Sequence, residues 1–393
     1  MLLPWHPSCS PYDYRMSDIR VPSTTCWCRA AVRLVAIMSL SAGLAHAGSP
    51  VAVLTSPVPQ MSYFGWSVAG SKKMAVVGAP WRYIAGPQIV GEAYLFDLKT
   101  GTLLQTLSNP NTLPNDNVTQ DRFASAVAMV GTNTVAVGAA DAFVVGRIYL
   151  FDAFTGELRR TVLPPPGGSA FGASLAADGN RLLVTGLLNL SPQDLRGAVF
   201  LVNGDTGEIL QTFVGEGVFT DGFGTALAIR GTAVLIGASG SATGAYLFDA
   251  TSGSLLHRFV SPEGGGAVAL TRDRVFVGTV NDDTVYVFDR STGALVTTLA
   301  APSPIAHSFG GLGSLAMIGR DLVIGERGGP AYLVRGRSGR VLKTFPVPSV
   351  GSLAVFGTPV ASTGSRVLVG AINSSGGSAT SATDYGAVYV FHR

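Results

Sequence analysis

Seven imperfect copies of one unit, each with four short apolar segments between turn residues, predict an all-β protein: a seven-bladed β-propeller of four-stranded antiparallel blades. Three observations carry this. Six steps of about 49 residues each separate Phe64 from Phe356. The second and third segments of each copy are nearly continuous runs of Val, Ile, Leu, Phe and Tyr, the pattern of strands buried on both faces. The series also starts with one strand too many and ends with one too few.

The first copy runs from Phe64-Gly65 through Val76-Val77-Gly78-Ala79 to Tyr94-Leu95-Phe96-Asp97, then turns at Thr100-Gly101 into a fourth segment. The second carries Phe123, residues 135–139, residues 149–152 and Thr155-Gly156. The third has Phe171-Gly172 and Thr206-Gly207, and the fourth Phe223-Gly224 and Ser252-Gly253. The fifth lacks the phenylalanine and offers Gly264-Gly265-Gly266 before Thr292-Gly293. The sixth has Phe309-Gly310 and Ser338-Gly339. The seventh has Phe356-Gly357 and stops at Arg393, just after its third segment. Aspartate, serine, threonine and glycine at these junctions are turn formers, and the β-branched and aromatic runs between them are strand formers.

The missing fourth strand of the seventh copy is matched by residues 51–55, Val-Ala-Val-Leu-Thr followed by Ser56-Pro57. These read like residues 103–107 and the Ser108-Asn109-Pro110 that follow them. Residues 51–55 are therefore expected to complete the last blade and cover its edge.

Ahead of that strand lies a different kind of segment. Arg29 and Arg33 flank the start of an apolar run, residues 34–44, that ends at Ala45-His46-Ala47. A basic region, a short apolar core and small residues before a cut make a secretory signal. Residues 1–47 are thus expected to be a leader, starting at Met1 or Met16, cleaved after Ala47 or retained as an anchor. Residues 48–393 then form a single propeller domain, secreted, periplasmic or on the cell surface. The run is too short to span a bilayer, so no stable membrane insertion is expected. Cys9, Cys26 and Cys28 all lie in this leader, which leaves the exported chain without thiol or disulfide chemistry.

The 393 residues carry 27 Lys and Arg against 24 Asp and Glu, a net charge of +3, with 13% charged and 47% hydrophobic residues. That composition excludes disorder, and 50 glycines exclude a helical bundle or coiled coil. The balance is too even to demand nucleic acid or a membrane surface as partner, and basic residues do not interleave with aromatic ones.

On the residues above, the chain resembles the FG-GAP repeat family, the repeat of the integrin alpha-subunit propeller. It is most similar to the bacterial secreted form with a Tyr-Leu-Phe-Asp segment before Thr-Gly. The resemblance covers about residues 51–393 and implies the fold; it leaves function open, because propellers serve as ligand platforms, enzymes and scaffolds. Several integrin blades bind calcium through an acidic loop between the first two strands. The equivalent turns here, such as residues 131–133 and 319–321, hold at most one carboxylate each, so no metal is expected. The segment Asp97-Leu98-Lys99-Thr100-Gly101 and its copies also resemble quinoprotein propellers. No docking tryptophan stands in the strand that follows, so the segment reads as a turn and no cofactor is expected.

Catalytic motifs are sparse. His257, His307 and His392 have no metal-ligand spacing, no Gly-x-Ser-x-Gly elbow joins a strand to a helix, and the glycine runs precede no Lys-Ser/Thr. Strand parity is more informative. Turns after the first and third strands lie at one end of a blade and are uniformly tight. Loops after the second and fourth lie at the other end and are long, as at residues 80–90, 110–122, 187–196 and 373–384. Variable loops on a rigid scaffold are where binding residues concentrate. Trp81, Arg82 and Tyr83 are the leading candidates, because aromatic and arginine side chains dominate hot spots. Asp116, Asp121, Arg196, Asp221, Arg327 and Tyr385 are their candidate neighbours on the same face. The expected function is a monomeric, non-enzymatic binding or adhesion propeller that presents this face to a protein or glycan. The alternative is an extracellular hydrolase or lyase with carboxylates at the axial mouth of the same face.

Overall fold

In every repeat that keeps its phenylalanine, that ring packs against an aromatic ring of the same blade's third strand. Phe64 meets Tyr94 at 5.7 Å between centroids, Phe123 meets Tyr149 at 5.6 Å, and Phe171 meets Phe200 at 5.4 Å. Phe223 with Tyr246, Phe309 with Tyr332 and Phe356 with Tyr389 repeat the contact. These rings are buried in layers shared with the preceding blade: Phe123 and Tyr149 of blade 2 join Val76 and Leu95 of blade 1. The recurring sequence motif is thus the glue between neighbouring sheets.

The computed structural model describes residues 37–39, 46–58, 62–83, 89–111, 121–140, 145–217, 219–240, 244–280, 282–302, 308–348, 354–373 and 385–393. Blade 1 is Ser67–Gly70, Met74–Tyr83, Ile89–Asp97 and Leu103–Ser108, hydrogen-bonded in that order. Blade 2 runs Phe123–Val130, Thr134–Ala139, Arg147–Asp152 and Leu158–Val162. Blade 3 has Leu175–Asp178, Arg181–Ser191, Asp194–Asn203 and Ile209–Val214; blade 4 has Phe223–Arg230, Ala233–Ala238, Ala245–Asp249 and Leu255–Phe259. Blade 5 is Ala267–Leu270, Arg274–Gly278, Thr284–Asp289 and Leu295–Ala300; blade 6 is Leu315–Ile318, Asp321–Gly325, Ala331–Arg335 and Val341–Phe345. All seven are antiparallel, and second strands such as Thr134–Ala139 are buried along their whole length.

Blade 7 takes Ala354–Ser362, Arg366–Asn373 and Ala387–His392 from the end of the chain and Ala52–Thr55 from its beginning. The register is Ala52 to Val390, Val53 to Tyr389, Leu54 to Val388 and Thr55 to Ala387. Leu54 is fully buried against Phe64, Val77 and Val388. The closure expected from the surplus and missing strands is therefore present. Upstream of it, Ile37–Ser39 lies parallel to Leu295–Ala300 of blade 5, and His46–Ala47 lies parallel to Val341–Phe345 of blade 6.

Turns after the first strands of all seven blades and after the third strands of blades 1 to 6 are short, as the sequence predicts. One expectation changes. Residues 187–196 are not a loop: Arg181–Ser191 and Asp194–Asn203 pair out to Ser191 and Asp194, forming a hairpin arm that projects past the blade. Part of residues 80–90 behaves likewise, with Arg82 opposite Val90 and Tyr83 opposite Ile89. Alternating residues such as Leu188, Asn189 and Leu190 suit a ribbon outside the blade stack, where neither face is sandwiched. Among the described residues no helix is long and apolar enough to cross a membrane.

Candidate functional site

The first strands of all seven blades surround an axial channel of about 330 Å³. Its wall is mostly aliphatic, with Val68, Val127, Leu227, Val268, Leu315 and Val360 representative, and Ser362 and Arg230 are its polar side chains. The Ser362 hydroxyl donates to the Met317 carbonyl of the neighbouring blade.

The long-loop face begins where each chain turns into its first strand, and the turn has an unusual backbone. Residues flanking the recurring phenylalanine take positive φ: 54° at Tyr63 and 91° at Gly65 in blade 1, 50° at Arg122 and 67° at Ala124 in blade 2. Bulky residues rarely adopt this conformation. Here the buried phenylalanine on one side and the strand on the other hold it in place. Blade 4 relaxes the same turn with Gly222 and Gly224, at 68° and 94°.

Tyr63 and Arg122 occupy equivalent positions in adjacent blades and converge on Trp81. The Tyr63 ring lies 4.9 Å from that of Trp81, Trp66 meets Trp81 edge to face at 4.6 Å, and Tyr63 meets Trp66 at 6.2 Å. The Arg122 guanidinium sits 6.0 Å from the Trp81 ring centroid, within cation–π range. Backbone bonds fix the arrangement: Trp66 N–H donates to Tyr63 O at 3.0 Å and Trp81 N–H to Ser62 O at 3.3 Å. Trp66 keeps 39% of its surface exposed despite two ring contacts, so the cluster is packed from below and open above.

The other predicted residues separate by role. Arg82 and Tyr83 continue the strand that carries Trp81. Tyr385 directly precedes Gly386 and Ala387, whose backbone lies against Phe64 and Gly65, which places it at the seam beside the cluster. Asp121 is buried and accepts from Asn109 Nδ2 at 2.9 and 3.1 Å and from Phe123 N–H at 3.2 Å; it pins the start of blade 2. Arg196 holds Asp194 through two bonds, at 2.7 and 3.0 Å, along the blade 3 arm towards its tip. Arg196, Asp221 and Arg327 belong to blades 3, 4 and 6, and among the described residues no hydrogen bond or ion pair joins them to the Trp81 cluster. Asp116 lies outside the described residues. Tyr63, Trp66 and Arg122 were not foreseen. Their signal was present as the aromatic or basic residue flanking a Phe-Gly position, but only the positive-φ turn shows where such residues point.

Three carboxylates on this face are engaged within their own blades, while Asp283 of blade 5 accepts from Phe309 N–H at the entry to blade 6 at 2.9 Å. Glu92 accepts from the Tyr94 hydroxyl, Asp282 from Tyr286 at 3.0 Å, and Glu326 from Tyr332 at 3.2 Å. Burial and the Asp282 carboxylate push the Tyr286 hydroxyl up to about 12. Among the described residues no group of three or more His, Cys, Asp or Glu converges as a metal site would.

The Asp-x-x-Thr-Gly segments are turns at the opposite face. Asp97 Oδ1 accepts from the Lys99 and Thr100 amides at 2.8 Å each, and Asp289 Oδ1 from Ser291 and Thr292 at 3.0 and 3.1 Å. Asn203 does the same in blade 3, accepting from the Asp205 and Thr206 amides at 2.9 and 3.1 Å. The segment is accounted for as a side-chain-capped turn.

Comparison with known proteins agrees with this architecture. The family model described as outer membrane protein assembly factor BamB, of the PQQ-repeat type, matches residues 144–386. The FG-GAP repeat model matches residues 58–96. The crystal structure of the computationally designed Ika8 protein is similar at 19% identity, over 86% of this chain and 99% of that one, with a TM-score of 0.50, a likeness of fold alone. No curated protein matches the sequence. With one match spanning more than half of the sequence and the other spanning most of its first blade, the chain belongs to the PQQ-repeat propeller family described as outer membrane protein assembly factor BamB, and its first blade is an FG-GAP repeat.

Proposed function

We infer that this protein is an exported, non-enzymatic binding module that presents its long-loop face to a protein or glycan ligand. The observation that carries the reading is the Tyr63–Trp66–Trp81 cluster with Arg122 over it, a half-exposed aromatic platform on a rigid scaffold. Large aromatic rings and arginine supply contact area at low entropic cost and dominate binding energy where they are pre-arranged. The hydrolase or lyase alternative draws less support: the channel wall is mostly aliphatic, its Ser362 hydroxyl is bonded to the Met317 carbonyl, and Glu92, Asp282 and Glu326 are each bonded to a tyrosine of their own blade. The matching family is described as an assembly factor, which is a binding role. Export rests on the leader pattern of residues 29–47.

The test begins with a glycan array and a pull-down using the exported protein, followed by a fluorescence titration. With Trp5 and Trp27 removed along with the leader, emission comes from Trp66 and Trp81 alone. A captured ligand is expected to shift or quench that emission without being turned over. A ligand that binds with no change in emission, or that is cleaved by the protein, would overturn the reading.

A further inference from the structure

The opposite face, where the tight turns lie, holds a cavity of about 770 Å³ bounded by blades 4 to 7. Its chemistry is unlike that of the rest of the molecule. Arg230 ends the first strand of blade 4, Arg272 stands in the first turn of blade 5, Arg320 stands in the first turn of blade 6, and Arg335 ends the third strand of blade 6. All four are exposed to the cavity, and among the described residues none of them has a carboxylate within ion-pair distance.

Three further arginines line the same cavity and are held in place by pairs. Arg274 bonds Asp289 at 2.7 Å, Arg337 reaches Asp273 at 3.5 Å, and Arg393 bonds Asp321 at 2.5 Å. Seven guanidinium groups therefore face three aspartates, the lining Asp273 and Asp321 and the paired Asp289, in a protein whose total net charge is only +3. A main-chain carboxylate at residue 393 would subtract at most one charge from that excess. Behind the wall, burial pushes the Arg290 guanidinium below its ordinary value, with the Arg230 charge adding to it.

The arginines of the cavity come from blades 4 to 7, and the first turn of blade 1 adds Lys72 and Lys73 beside blade 7. The corresponding first turn of blade 2, Gly131-Thr132-Asn133, carries no charge, and that of blade 3 is Gly179-Asn180. Fold symmetry does not require arginine at these positions, and like charges gathered in a concavity cost stability unless something balances them.

We propose that this cavity is a binding site for a compact polyanion carrying several sulfate, phosphate or carboxylate groups. Guanidinium forks match tetrahedral and planar oxyanions in bidentate geometry. The volume is that of a small-molecule site, large enough for several anionic groups at once. Among the described residues no aromatic side chain lines it, so these offer no platform on which nucleic-acid bases would stack. The site is distinct from the aromatic platform and lies at the other end of the strands.

Calorimetric titration of the full chain at low ionic strength tests the proposal, with inorganic tripolyphosphate and a heparin-derived hexasaccharide as probes. Binding of one or both is expected, the pattern telling phosphate from sulfate sources, with affinity falling as salt rises. The double variant Arg272→Ala/Arg320→Ala should lose roughly tenfold or more, while Arg160→Ala, on an outer strand of blade 2, should change binding less than twofold. Arg272 and Arg320 are exposed turn residues, and an unchanged melting temperature in the double variant confirms that the fold is intact. Failure of both probes to bind, equal binding by the double variant, or tighter binding of single-stranded DNA than of either probe would overturn it.

Discussion

Gly357 packs its backbone directly against the carbonyl of Glu326 across the seam between blades 6 and 7, leaving no room for a side chain. A Cβ at Gly357 would overlap that oxygen, and φ there is +98°. The same seam carries the bond from Gly328 N–H to Phe356 O at 2.7 Å. Phenylalanine fills the layer between sheets, and the glycine after it lets the two backbones touch.

Gly357→Ala should therefore destabilise the protein by about 3 kcal/mol or more, combining left-handed strain with a backbone collision. Gly231→Ala, at φ +56° with nothing within 4 Å, should cost only about 1 kcal/mol. Denaturant unfolding of the two variants measures the difference, and equal losses would contradict the seam argument.

Closure of the ring gives a second expectation. Leu54→Ala removes a fully buried side chain and should cost about 2–5 kcal/mol. Deleting residues 51–54 should also bare the Ala387–His392 edge and reduce the yield of monomer on size-exclusion chromatography. An unchanged monomer fraction would mean the edge needs no cover.

The capped turns predict a specific acid response. Amide bonds from Thr155 and Phe154, then Arg159, hold Asp152 at about 2, and bonds from Ser291 and Thr292 hold Asp289 at about 2. Both lie below their ordinary 3.8, so their contribution to stability is complete above about pH 4 and is lost as pH falls towards 2. Asn203 already makes the same turn without a titrating group. Asp152→Asn/Asp289→Asn should thus show a shallower fall of melting temperature between pH 4 and 2 than the parent, and an identical slope would refute the assignment.

Much of this architecture was legible in the sequence because blade strands announce themselves. Runs such as Val234–Leu235–Ile236 are buried on both faces, and the Thr-Gly turns leave little choice of connection. The surplus strand at residues 51–55 was legible for the same reason. The arm at residues 187–196 was not, because it leaves the blade stack and loses the apolar run that marks a buried strand. Trp81 stood out as a large aromatic on the variable face, whereas Tyr63 and Arg122 depend on a positive-φ turn that sequence pattern does not reveal. The arginine cavity was invisible for a different reason. Each tight turn holds only one or two arginines, and ring closure alone brings Arg230, Arg272, Arg320 and Arg393 to one place.

The binding role of the aromatic platform is tested most directly by the affinity of Trp81→Ala for the ligand that the intact protein captures. The platform predicts a loss of roughly 2 kcal/mol or more, about thirtyfold in Kd, with an unchanged melting temperature. Lys73→Ala, in the tight turn of the same blade at the far end of its strands, should stay within about twofold. Unaltered affinity in Trp81→Ala together with lost affinity in Lys73→Ala would contradict the placement of function on the long-loop face.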